Sequence, residues 1–261
     1  MNNIRPPAVS GYFYPDDPEA LQQSVLQYLA RAHVSVPVPK AIIAPHAGYI
    51  YSGPVAASAY ACLTPAHNRI HRVILLGPAH RIYLRGLALS TSDAFESPLG
   101  CVELDQEMMR KLIKLPQVQL MDAAHAGEHS LEVHLPFLQT VLDYFTLVPL
   151  VVGDAAPHEV SEVLKVLWGG PETLIVISSD LSHYHDYDTA NQIDGSTSQA
   201  IETLRYEDIG SKQACGCVAV SGLLYLAGEL GLSATTLDLR NSGDTAGSHD
   251  RVVGYGAYAF G

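Results

Sequence analysis

Basic residues are scarce in this chain. Its 261 residues include 15 Lys and Arg against 27 Asp and Glu, a formal net charge of −12. Such a surface repels phosphate backbones and anionic headgroups, so neither nucleic acid nor a membrane surface is expected as a partner. Charge of either sign is thin as well. Only 16% of residues are charged and 48% are hydrophobic, the reverse of a disordered composition. No apolar run approaches the roughly 18 residues that a membrane span requires. The opening segment, MNNIRPPAVSGYFYPDD, has no apolar stretch of the signal-peptide kind, so no secretory leader is expected there. Cysteine is confined to Cys62, Cys101, Cys215 and Cys217, which does not resemble a disulfide framework, and a reducing cytoplasm is the expected compartment. The phosphate-binding Gly-x-x-x-x-Gly-Lys-Ser/Thr, a Gly-x-Gly-x-x-Gly after a strand, and the Gly-x-Ser-x-Gly nucleophile elbow are all missing.

What is present is a regular alternation of short apolar runs and helical patterns. No repeat, low-complexity tract or linker divides the chain, so a single domain over 1–261 is expected. Buried-strand patterns fall at residues 40–44, 72–76, 86–90, 145–151, 173–178, 235–239 and 252–260. Helical patterns fall at 18–32, 53–62, 104–115, 130–144, 157–168, 189–204 and 219–230, with Ser130 as a candidate cap. Continuous apolar strands separated by helices predict an α/β fold: a mostly parallel central sheet with helices on both faces. In such sheets ligands bind beyond the carboxyl ends of the strands.

Three of those ends deliver histidine. Ala44-Pro45-His46-Ala47-Gly48-Tyr49 follows the first strand, Gly77-Pro78-Ala79-His80-Arg81 the second, and Ser179-Asp180-Leu181-Ser182-His183 the strand at 173–178. A lone histidine is usually an ordinary polar residue. Three at equivalent topological positions point to a shared pocket able to hold a metal or move protons. For the anionic ligand, Asp180, Cys215 and Cys217 remain alternatives on spacing alone. The run Glu128-His129-Ser130-Leu131-Glu132-Val133-His134 adds a further cluster. His134 and His129 are candidates for supporting the ligands from behind, whereas Glu132 reads better as an acid complementing a helix N-terminus. The tyrosines beside His46 and His183 are candidate lining residues, Tyr49 among them.

These motifs, in this order and spacing, resemble the Memo family. The carriers are Ala44 to Tyr49, Gly77 to His80, Glu128 to Pro136, Ser178-Ser179-Asp180 with His183, Ala214-Cys215-Gly216, and the opening Gly11-Tyr12-Phe13-Tyr14-Pro15. The resemblance covers essentially the whole chain. It implies a three-layer α/β/α sandwich similar to the class III extradiol dioxygenases, which hold non-haem iron on two histidines and a glutamate. It implies His46, His80 and Cys215 as metal ligands, which selects Cys215 over Cys217, and His183 as a catalytic base accompanied by Asp180. A cysteine where the dioxygenases have a carboxylate suits iron(II) or copper(I), with zinc ranked behind, and puts catechol cleavage in doubt. Cys217 is expected to be an inert packing residue. Prokaryotic members are similar to protein B of the AmmeMemoRadiSam system, which adds a radical-SAM protein as an expected partner. The human member is a cell-motility mediator downstream of a receptor kinase. The functional expectation is therefore an oxidoreductase pocket for O₂ or a small phenolic ligand. The alternative is a non-catalytic module binding a peptide or partner protein in the same cleft, and a zinc hydrolase ranks third.

Overall fold

The structure, a computed structural model, describes residues 3–33 and 36–261. In chain order its strands are β1 (Ile4–Arg5), β2 (Ala41–Ala44), β3 (Arg72–Pro78), β4 (Leu87–Leu89), β5 (Ala94–Ser97), β6 (Gly100–Glu103), β7 (Val118–Leu120), β8 (Thr146–Val152), β9 (Thr173–Ser178), β10 (His183–His185), β11 (Ala234–Asn241) and β12 (Val252–Phe260). The helices are α1 (Pro18–Arg31), α2 (Tyr49–Tyr60), α3 (Gln106–Leu112), α4 (Asp122–Ala126), α5 (Leu135–Val141), α6 (Pro157–Leu167), α7 (Tyr187–Glu202) and α8 (Cys217–Leu230).

Strands covered on both faces carry mostly apolar side chains. β2, β3, β8 and β9 meet that condition with Ala, Val, Ile and Leu, and they form the parallel heart of the main sheet. The main sheet runs β10-β12-β2-β9-β3-β8-β4-β7, with β11 also paired to β12. β12 joins β2 antiparallel and β4 joins β8 antiparallel. Helices flank the sheet. α6 packs on α8, which lies against β3 and β9, while α1, α2 and α5 form a second packed group. The architecture is the expected helix-flanked, mostly parallel sheet. No helix among the described residues is long and apolar enough to cross a membrane.

The structure departs from expectation where hydrogen bonds from distant residues replace local pattern. The predicted helix over 130–144 is a single 3-10 turn, Glu132–His134, followed by α5. Ser130 caps nothing there, because its hydroxyl donates to the carbonyl of Pro78 at 2.9 Å. α2 begins at Tyr49 instead of residue 53. Proline is favoured in a first turn, yet Pro54 lies inside this helix. β1, β5 and β6 form a small separate sheet that no periodicity marks, since its strands are two to four residues long.

Glu132 is not a helix-terminus acid. It is fully buried and accepts from Arg5 Nη1 at 2.6 Å, the backbone N–H groups of Ala8 and Val9 at 2.7 and 2.9 Å, and the Tyr14 hydroxyl at 2.6 Å. Arg5 is buried with it and also donates to the carbonyls of His125 and Glu128. This ion pair straps the N-terminal segment across the segment that follows α4.

His125 sits under the same strap, its Nε2 at 3.0 Å from the Ala88 carbonyl and its Nδ1 buried without a partner. Burial holds its imidazole down to about 4; the Ala88 carbonyl opposes that shift and the nearby Arg5 guanidinium reinforces it. An unfolded chain binds this proton near pH 6.5. The stability from neutral His125 is therefore complete above pH 6.5 and is lost as the pH falls toward 4, about 3 kcal/mol in all. His125→Gln should flatten the pH dependence of urea-unfolding free energy between pH 6.5 and 4. An unchanged slope would rule out this contribution.

Candidate metal centre

The parallel register sets the geometry. Ala44 lies opposite Ser178, and Leu76 opposite Ile177, so the ends of β2, β9 and β3 emerge side by side. His46 is buried just past β2. Its Nδ1 lies 2.6 Å from the Ser178 hydroxyl, which spends its own proton on the Ser130 carbonyl at 2.5 Å. Ser178 Oγ must then accept, so His46 Nδ1 carries the hydrogen and Nε2 carries the lone pair. That lone pair faces Cys215 Sγ at 3.3 Å. Burial, then the neighbouring His80, push the His46 imidazole well below its ordinary value, which keeps it neutral.

His80 is oriented by a carboxylate. Glu128 accepts from the His80 backbone N–H at 2.6 Å and from His80 Nδ1 at 2.9 Å. Burial alone would raise the Glu128 carboxyl. The hydrogen bonds from the His80 ring and from backbone N–H groups outweigh it and bring the group down to about 2. Glu128 is thus an acceptor at neutral pH, His80 Nδ1 must donate, and the lone pair again sits on Nε2.

Cys215 immediately precedes Gly216, the N-terminal cap of α8. A Cβ at Gly216 would come within 2.5 Å of the Ser178 carbonyl oxygen, so only glycine allows this approach. Cys215 exchanges backbone contact with Asp180: its N–H donates to the Asp180 carbonyl at 3.2 Å, and its Sγ accepts the Asp180 N–H at 3.3 Å. Burial, followed by the Asp180 carboxylate, pushes the thiol up. Cys217 lies in the first turn of α8 and belongs to neither candidate ligand set.

Ligand atoms of His46, His80 and Cys215 all lie within 4.8 Å of one another. His80, Glu128 and His129 form a second set within the same 4.8 Å. The first is better fitted, because Glu128's oxygens already accept four N–H groups, two from His80 and one each from His129 and Ser130. His46 and His80 of the first set line a cleft of about 680 Å³ that His129, Asp180 and His183 also line.

The remaining sequence-predicted residues divide. His183 donates from Nδ1 to the Leu181 carbonyl at 2.8 Å, leaving Nε2 with the lone pair. Asp180 is buried beside it, but its Oδ1 accepts the His46 N–H at 2.7 Å and makes no hydrogen bond to His183. Burial raises the Asp180 carboxyl, while the His46 N–H opposes. His129 stacks on His80 with centroids 4.7 Å apart, and so packs the ligand from the side. His134 and Tyr49 do not support the ligands by hydrogen bonds. His134 Nδ1 pairs with the Tyr60 hydroxyl at 2.8 Å, and Tyr49, at the start of α2, donates to the Val133 carbonyl at 2.6 Å; both side chains are buried. Among the tyrosines considered, Tyr51 and Tyr184 line the cleft, while Tyr187 turns away to Asp244.

Sequence reasoning missed Glu128 as the carboxylate behind His80, Ser178 as the acceptor behind His46, and the 242–251 rim that contributes Ser242, Gly247, Ser248 and Arg251 to the cleft. A signal for Glu128 was available, since it opens the segment in which His129 and His134 drew notice. Glu128→Gln keeps the shape but donates through its amide where an acceptor is needed. It should cut metal affinity about 10- to 100-fold, the usual effect of losing such an orienting partner. Equal affinity in anaerobic titrations would show that His80 needs no carboxylate.

Comparison with known proteins agrees with this architecture. The family described as Memo-like protein matches residues 5–259. A MEMO1 family protein of Aquifex aeolicus is 38% identical over 272 residues, covering 97% of each chain. One from Saccharolobus islandicus is 36% identical over 284 residues, covering 98% of this chain and 99% of the relative. A solved structure of an uncharacterized protein from Escherichia coli K12 shares the fold with TM-score 0.51 and 15% identity, over 82% of this chain and 98% of the other. On these grounds the chain belongs to the Memo-like family.

Proposed function

We propose that this protein holds one redox-active metal ion, iron(II) or copper(I), on His46 Nε2, His80 Nε2 and Cys215 Sγ, and that it oxidises a small phenolic molecule in the adjoining cleft. The observation that carries this is that ligand atoms of His46 and His80 lie within 4.8 Å of the Cys215 thiol and of each other, with each imidazole fixed by a hydrogen bond at Nδ1. Two neutral histidines and one potential thiolate, with the solvent side open, fit a transition metal that keeps positions for ligands. Without a cation the thiol stays protonated; a bound ion reverses that balance and favours thiolate. The metal, when bound, supplies electron transfer to O₂.

The chain's own residues do the rest. Phe13, Tyr51 and Tyr255 offer aromatic surface for a ring. His183 Nε2, its tautomer held by Leu181, is free to accept the phenolic proton. Asp180 keeps the His46 backbone and the Cys215 loop together, so its part is positioning.

Anaerobic titration of wild type and Cys215→Ser with iron(II), copper(I) and zinc tests the centre. One tightly bound iron or copper per chain is expected, with affinity at least about 100-fold lower in the variant. Zinc alone, or no binding, would remove the redox reading. The alternative, a non-catalytic partner-binding module, predicts that association with the radical-SAM protein of the same system survives metal removal.

A further inference from the structure

Arg81 and Arg251 meet no carboxylate at the cleft. Both line it and both are exposed. Among the described residues neither forms an ion pair, and of the other unpaired arginines, Arg31, Arg69 and Arg110, none lines this cleft. The one carboxylate in the lining is Asp180, and the His46 N–H already occupies its Oδ1. In a chain of net charge −12, this mouth presents two unpaired guanidinium groups and no exposed acid.

The two arginines come from opposite flanks. Arg81 follows His80 beyond β3, and Arg251 directly precedes β12. In the order β12-β2-β9-β3 these strands are three spacings apart, about 14 Å at the usual strand separation. Arg251 is held over the Tyr184 ring, 5.2 Å from its centroid. Tyr184 has φ 62°, a left-handed backbone that a bulky residue rarely adopts and that here turns its ring to the cleft mouth. Between the flanks lie aromatic walls, Tyr51 and Tyr255 among them.

We propose that the cleft takes a small aromatic acid, its carboxylate held by Arg251 at the Tyr184 flank, its ring lying against the tyrosine walls, and Arg81 adding positive charge from the opposite flank. That the far end of the ring turns toward His46, His80 and Cys215 rests on the metal reading above; capture of the carboxylate does not. Guanidinium groups recognise a planar carboxylate through paired charge-assisted hydrogen bonds, and aromatic walls select a planar ring over an aliphatic chain.

The test uses 4-hydroxybenzoate and phenol, which differ only in the carboxylate, titrated calorimetrically into metal-free and iron(II)-loaded protein. Wild type should bind 4-hydroxybenzoate at least about tenfold more tightly than phenol in both forms. In the double variant Arg81→Gln, Arg251→Gln that preference should disappear, with phenol affinity unchanged. Both side chains are exposed, so the variant is expected to fold, and circular dichroism checks this. Equal binding of the two probes by wild type, failure of both to bind, or a preference that survives in the double variant would overturn the proposal. If the protein binds no metal yet keeps the arginine-dependent preference, the acid subsite stands and the metal reading falls. If metal binds tightly and the probes are not distinguished, the reverse holds.

Discussion

Parallel pairing of β2, β9 and β3 is the constraint on which the centre depends. With Ala44 opposite Ser178 and Leu76 opposite Ile177, three chain segments leave the sheet at one level. Each must turn at once, and each turn exposes backbone groups that need partners. Those partners are the site's own residues. Asp180 receives the His46 N–H, Ser130 holds Ser178 and Pro78, and Cys215 bonds across to Asp180. The same bonds that satisfy the strand ends also aim the imidazoles. Structural and chemical demands coincide here, which explains why so few residues do both jobs.

The segment between α4 and α5 carries two buried carboxylates with separate tasks. Glu132 neutralises Arg5 and accepts the N–H groups of Ala8 and Val9, which secures the stretch that brings Phe13 to the cleft. Glu128 neutralises nothing permanent; it fixes a ring. A regular helix would point these two acids along directions four residues apart on one face. Breaking the helix into a loop and a 3-10 turn lets one face the N-terminal strap and the other the end of β3.

Much of this was legible in the sequence because it rests on local pattern. The buried strands showed as apolar runs, and two of them, 173–178 and 252–260, keep the expected limits. His46, His80 and His183 were singled out by their places after strands, a topological argument that needs no contacts. Spacing alone could not separate Cys215 from Cys217; the distinction depends on Gly216 lying against Ser178, a contact between residues 38 apart in the chain. His134 and Tyr49 misled for the opposite reason. Both neighbour informative residues in sequence, but α2 and the 3-10 turn carry their side chains into the core. The 242–251 rim had no periodicity to reveal it and reaches the cleft only through the pairing of β12 with β2 and β10.

The strand order has a kinetic meaning as well. β2, although early in the chain, lies between β9 and β12, so its neighbours are made more than a hundred residues later. His46 therefore has neither its Ser178 acceptor nor its facing thiol until most of the chain has been synthesised and collapsed. A topology of such distant contacts folds slowly, because loop closure must come before the contacts that reward it. An N-terminal fragment would display His46 and His80 as loose imidazoles with no fixed tautomer. The candidate ligand set is in this sense a late reporter of folding: it can assemble only once β9 and the turn before α8 have docked beside β2.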